Sequence, residues 1–256
     1  MDFLSSGFVS DFMSRGSIFL FSFLLVIPAL TMHEWAHAWM ANRLGDSTAR
    51  MLGRMTLNPL KHIDPIGTVL VPLILLIASA ASGMWFIFGW AKPVPFNPRH
   101  LKDPKRDTAL IGIAGPAINV IMAVATAIIL TALRLFAPQF IFTFDVQNTS
   151  LVTGLTSFGF VLGFFCYINL ILCFFNLLPI PPFDGSRIVQ KYLKGNARHW
   201  YDQLERYGMF IVLGLIWIPP MLFGFSLIGM YFSVTAWPVF QFITGIPVGV
   251  LFSFIL

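Results

Sequence analysis

Five apolar blocks occupy most of this 256-residue chain: Ser17 to Leu44, Gly67 to Trp90, Thr108 to Phe136, Leu151 to Leu178 and Arg206 to Leu256. Most exceed the roughly 20 residues that a helix needs to cross a bilayer. No soluble core could hide them all. Only 11% of the residues are charged and 57% are hydrophobic, against roughly a quarter charged in soluble domains. The expected fold is therefore an all-α polytopic membrane protein, a helical bundle of five to six transmembrane segments. The first block is too long for a signal-peptide core and carries polar residues, so it is expected to stay in the mature chain.

The formal charge of +5 sits in short connections between apolar blocks. There it faces anionic lipid and sets orientation, which argues against nucleic acid as a partner. Arg43, Arg50, Arg54 and Lys61 follow the first block, and Lys92, Arg99, Lys102, Lys105 and Arg106 follow the second. Both connections then belong on the cytoplasmic side, as does Pro179 to Arg206, whereas Ala137 to Ser150 has no lysine or arginine and belongs outside. The second block cannot satisfy this by crossing once. It is expected to be re-entrant, bent by Pro72 and the small-residue run "ASAASG", with irregular backbone covered by protein or a wet cavity.

Its flanks, "GRMTLNPLKHIDPIGT" and "GWAKPVPFNP", read as short strands and turns, a small membrane-associated β region. Pro219 and Pro220 should divide the last block into two helices. Cys166 and Cys173 stand one heptad apart on one helix, roughly 10 Å in space, which is too far for a disulfide. The whole reads as one domain over residues 1–256, with a core at 17–187 and C-terminal helices at 203–256 as a candidate gate.

The chemistry concentrates in "HEWAH". His33 and His37 are four apart, so both imidazoles share one helix face and can reach one metal ion. Glu34 is turned about 100° from His33, beside the ion, where it can handle the proton of a water. This is HExxH, the pattern of zinc hydrolases. The competing reading pairs these groups with one another as packing glue; at membrane depth, ionisable residues are first a functional hypothesis. A tetrahedral catalytic zinc needs a third protein ligand. His62, His100 and His199 lie in basic connections, where interface roles are the bland reading. Asp184, after the helix-breaking prolines of "NLLPIPPFDGSR", has two readings: third ligand, or N-cap of a following helix over Gly185 to Lys194.

"HEWAH", then "GIAGPAIN", then "NLLPIPPFDGSR", in that order on successive membrane segments, resembles the site-2 protease family of intramembrane zinc metalloproteases. The resemblance covers about Ser17 to Arg187. It implies that His33, His37 and Asp184 hold one zinc ion per chain and that Glu34 is the catalytic base. It also implies that Asn119 lies near the active site, where its amide can bond substrate backbone or the developing oxyanion; helix–helix glue is the other reading. Asn169 and Asn176 read as helix glue or as partners of the zinc ligands. "GWAKPVPFNP" resembles the membrane-embedded β region of small bacterial members.

The same resemblance implies an enzyme that hydrolyses peptide bonds in or near transmembrane segments of membrane protein substrates, placed in a bacterial cytoplasmic membrane with the site toward the cytoplasm. No PDZ-like or CBS domain is visible, so substrate choice falls to the core, to the last helices, to a regulatory partner or to a homo-oligomer. A metal transporter or an inactive zinc-binding scaffold is the alternative; the first requires a ligand path through the membrane, and the second has no need of Glu34.

Overall fold

The computed structural model describes residues 6–82, 89–137 and 158–252 of the chain. Among them every regular element is helical and none is a strand. Helix α1 runs from Ser6 to Arg43, followed by the single turn α2, Thr48–Met51. A π-helical turn, Pro65–Leu70, leads into α3, Val71–Ser82. Then come α4, Pro104–Phe136, α5, Phe158–Asn176, and α6, Asp184–Tyr192. The chain closes with α7, Gly195–Phe223, α8, Leu227–Val234, α9, Ala236–Thr244, and α10, Val248–Phe252.

Four of the described segments are long and apolar enough to cross a membrane: α4, α5, α7, and α8 with α9 taken together as Leu227–Thr244. Helix α4 is the hub, packed against α1, α5 and α6. Its small residues Ala123 and Ala127 meet Ala29 of α1 and Phe160, Phe164 and Leu170 of α5 in the main core. Small residues allow such close backbone approach where hydrophobic burial alone gives little drive. The opposite face of α4 turns Ile121, Ile128 and Leu135 outward, as a helix surrounded by acyl chains requires.

The second apolar block returns to where it starts. The Trp90 amide donates to the Gly67 carbonyl at 3.1 Å and the Lys92 amide to the His62 carbonyl at 2.9 Å. The Thr68 hydroxyl donates to the Trp90 carbonyl at 2.8 Å. A Cβ on Gly67 would lie 2.3 Å from the Trp90 indole, so only glycine permits this closure.

Two expectations need correction. The flanks of this block carry no strand: their regular elements are the 3₁₀ turns Pro59–Lys61 and Pro98–His100 and the π-helical turn that starts at Pro65. Pro93, Pro95 and Pro98 remove ladder donors, and Arg54 holds the run instead, its Nη2 donating to the Lys92 carbonyl at 2.7 Å. The prolines at 219 and 220 lie inside α7, which continues to Phe223 and ends at Gly224 in the left-handed region, φ 71°. Their missing amides forfeit the bonds to the Leu215 and Ile216 carbonyls without breaking the helix within its last two turns, and glycine is the residue suited to the cap at 224. The outer loop expected at Ala137 to Ser150 lies almost wholly outside the described residues.

One buried acid that the sequence did not single out organises the connections. Asp46 is fully buried; it accepts from the Asn97 amide at 2.6 Å, the Thr48 amide at 3.0 Å and His100 Nδ1 at 3.0 Å. Burial alone would raise its pKa, but the bonds from Thr48, Asn97 and His100 together bring it below the ordinary aspartate value. It thus ties the end of α1 to the 97–100 turn.

Candidate metal centre

The second half of α1 places His33 and His37 one turn apart, with their Nε2 atoms 3.0 Å from each other. Asp184 Oδ2 lies 3.1 Å from His33 Nε2 and 3.0 Å from His37 Nε2. All three side chains are buried, and their donor atoms lie within 4.8 Å of one another. Zinc bonds of about 2.0–2.2 Å place neighbouring donors a little over 3 Å apart, so the triangle has the dimensions of three corners of one tetrahedron. Asp184 is the first residue of α6 and makes no capping bond. The N-cap position of α6 is Phe183, while the Asp184 carboxylate meets both imidazoles.

The imidazoles are held from behind. His33 Nδ1 donates to Asn119 Oδ1 at 2.6 Å and His37 Nδ1 to the Ile111 carbonyl at 2.6 Å. Both acceptors leave Nε2 of each ring free for a cation, the usual arrangement around metal-bound histidine. Asn119 Nδ2 in turn donates to Asn169 Oδ1 at 2.8 Å, and Asn169 Nδ2 to the Phe165 carbonyl at 2.9 Å. Two completely buried amides thus link α1, α4 and α5 with their polar atoms satisfied.

Glycine makes this proximity affordable. A Cβ on Gly115 would stand 2.4 Å from His37 Nε2 and 2.5 Å from His33 Cε1. On Gly112 it would lie 3.0 Å from the Asp184 carbonyl, and on Gly185 2.3 Å from the Leu177 carbonyl. The glycines of "GIAGPAIN" and "FDG" are where α4, α1 and the Asp184 turn press together.

A cavity of about 360 Å³ opens onto the three donors. Glu34, 9% exposed, lines it, as do Pro93, Val94 and Asn176. Two imidazoles and a carboxylate, with a fourth side facing a cavity, are a donor set that suits a catalytic zinc. A buried carboxylate without a cation would cost several kcal/mol; here Arg187 Nη1 stands 3.5 Å from Asp184 Oδ1.

The other histidines are elsewhere. His62 Nε2 bonds the Thr56 carbonyl at 2.8 Å, His100 joins Asp46, and His199 meets Gln203 at 3.0 Å on the surface. Asn119 stands behind His33 rather than on the cavity wall. Asn176, read from sequence as glue or a ligand partner, is on that wall, with Nδ2 donating to the Leu172 carbonyl at 2.9 Å. Arg187, not singled out in the sequence, also lines the cavity; its place three residues after Asp184 on a helix was the available signal.

The family model for Peptidase family M50 matches residues 19–219, which takes in α1 through most of α7 and all three donors. The chain belongs to Peptidase family M50. It is thus a metallopeptidase of the site-2 protease family and an integral membrane protein. It is 38% identical over 198 residues to YwhC of Bacillus subtilis (strain 168), covering 77% of this chain and 80% of that protein. It is 29% identical over 203 residues to Rip2 of Mycolicibacterium smegmatis, covering 78% of this chain and 69% of that one. Rip2 of Mycobacterium tuberculosis (strain H37Rv) is 26% identical over 223 residues, covering 84% and 73%. All three are named as candidate zinc metalloproteases. No solved structure matches the chain significantly.

Proposed function

We propose that this M50 peptidase is a zinc-dependent intramembrane endopeptidase that cleaves peptide bonds in or near transmembrane segments of membrane proteins. The observation that carries the proposal is the meeting of His33, His37 and Asp184 within 4.8 Å in a cavity that Glu34 also lines. These three residues would hold one zinc ion, which would supply Lewis acidity there. Glu34 takes the proton of the attacking water and passes it to the leaving amine. Asn119 is a positioning residue: it holds the His33 ring and the tautomer that ligation needs. The amide of Asn176 and the residues near Pro93, which line the same cavity, then face the substrate.

The whole described fold is one catalytic domain, with the C-terminal helices from residue 203 onward as the candidate gate. Helix α1 is a further span beyond the four, its polar residues satisfied by metal and by Asn119, so the bundle has five or six. The block from Gly67 to Trp90 re-enters on its own side, as the bonds between its ends support. Basic residues in the connections that flank the site support a position toward the cytoplasm, in a bacterial plasma membrane. A regulatory partner or a second copy of the chain completes substrate choice. A transporter is not favoured: one donor cluster, with no second along the bundle, occurs among the described residues.

Purified native chain and Glu34→Gln are compared on a panel of single-span substrates, with bound zinc assayed in both. Cleavage by the native chain alone, with zinc in both, is expected. Undiminished cleavage by the variant would remove Glu34 from the mechanism.

A further inference from the structure

We propose that a second cavity, on the far side of Arg187 from the metal centre, binds a phosphate group. It measures about 500 Å³ and lies where the end of α6 meets the starts of α4 and α7. Lys105, Arg187, Lys191, Lys194 and Arg198 line it, and no aspartate or glutamate does. Arg198 is paired with Asp202 at 2.8 Å and Arg187 leans toward Asp184. Lys105, Lys191 and Lys194 form no ion pair among the described residues.

Three lysines without a counter-charge, beside two arginines already shared with Asp184 and Asp202, give the concavity a positive field that an anion would relieve. The start of α7 adds to this. Its N-cap, Lys194, gives no capping bond, so the first amides of a 29-residue helix stand open beside the cavity. Lysine, arginine and helix amides are all donors, the complement of an anionic group whose charged oxygens only accept. Phosphate is that group. Phe96 and Leu193 supply apolar wall for whatever carries it. In the orientation proposed above, the cavity lies at headgroup level, so the phosphate comes from an anionic phospholipid or from a soluble phosphate ester.

Arg187 is common to both cavities, and its guanidinium also lies 5.0 Å from the Phe96 ring. A phosphate that draws it outward leaves Asp184 with one cation fewer. That coupling rests on Asp184 being a metal ligand; phosphate binding does not.

The test uses the full chain in neutral detergent, with binding read by calorimetry for short-chain phosphatidylglycerol, short-chain phosphatidylcholine and glycerol phosphate. The native chain is expected to prefer phosphatidylglycerol over phosphatidylcholine, or to bind glycerol phosphate. Lys105→Gln, Lys191→Gln and Lys194→Gln combined should weaken that binding about fivefold per lysine. An equal removal of charge at Arg50, Lys61 and Arg99 should leave it unchanged. Competition by glycerol phosphate points to the phosphate itself; lipid binding without competition points to the phospholipid. Binding of neither probe, or equal losses in the two variant sets, overturns the proposal. No cleavage enters this test, so its outcome is independent of the protease reading, which the Glu34→Gln comparison decides.

Discussion

Asn119 Oδ1 accepts the His33 Nδ1 proton at 2.6 Å, so an amide on α4 dictates which nitrogen of a ring on α1 faces the candidate metal. Asn119→Leu should weaken zinc binding about 10- to 100-fold, the usual cost of losing such a partner, as read by competition with a chelator. Asn119→Asp keeps an acceptor and should recover part of it. Equal zinc affinity in native chain and Asn119→Leu would make the amide merely packing.

Gly115→Ala puts a methyl 2.4 Å from His37 Nε2, against a helix that cannot yield without moving the other donors. We expect a folded protein with depleted zinc and at least a hundredfold lower cleavage, the order of loss from roughly 1 Å of misplacement. Metal analysis of the purified variant decides it: full zinc occupancy would show that α4 can step back.

The bonds between His62 and Lys92 and between Gly67 and Trp90 put both ends of the second apolar block on one side. Cysteines at Lys61 and at Lys92, labelled with a membrane-impermeant maleimide in oriented vesicles, should therefore react from the same face. Opposite faces would mean a complete crossing. Cys166 and Cys173 are buried and should stay silent.

Asp46 is held below the ordinary carboxylate value by its bonds to Thr48, Asn97 and His100. A depressed folded-state pKa contributes stability that is fully present above the unfolded value of about 3.9 and disappears as pH falls through the folded one. Asp46→Asn should cost about 1–3 kcal/mol near neutrality. Thermal midpoints in detergent should show the gap between native chain and variant narrowing as pH drops below about 4. A gap that is the same at both ends of that range would contradict the assignment.

The regularities carried by neighbours in sequence were legible before any coordinates. Apolar runs mark helices because lipid requires every backbone group to be bonded within its own segment. HExxH places two imidazoles together because four residues make about one helical turn. Where the sequence misled, a local signal met tertiary context. Pro219 and Pro220 suggested a break, yet α7 runs through them to Gly224; the "KPVPFNP" run suggested a strand but is pinned by Arg54.

By itself, then, the sequence determined a membrane helix bundle, the His33–His37 pair with Glu34 beside it, and, through ordered motifs, the family. Only the tertiary structure decided that Asp184, 151 residues from His33, is a helix's first residue aimed at both rings. It alone showed that Asn119 stands behind His33, and that Arg187 is shared by two cavities. The physical reason is range. Helical spacing is set by bonds between residues a turn apart, whereas a donor triangle depends on glycines at 112, 115 and 185 letting distant backbones press together, and no local periodicity records that contact.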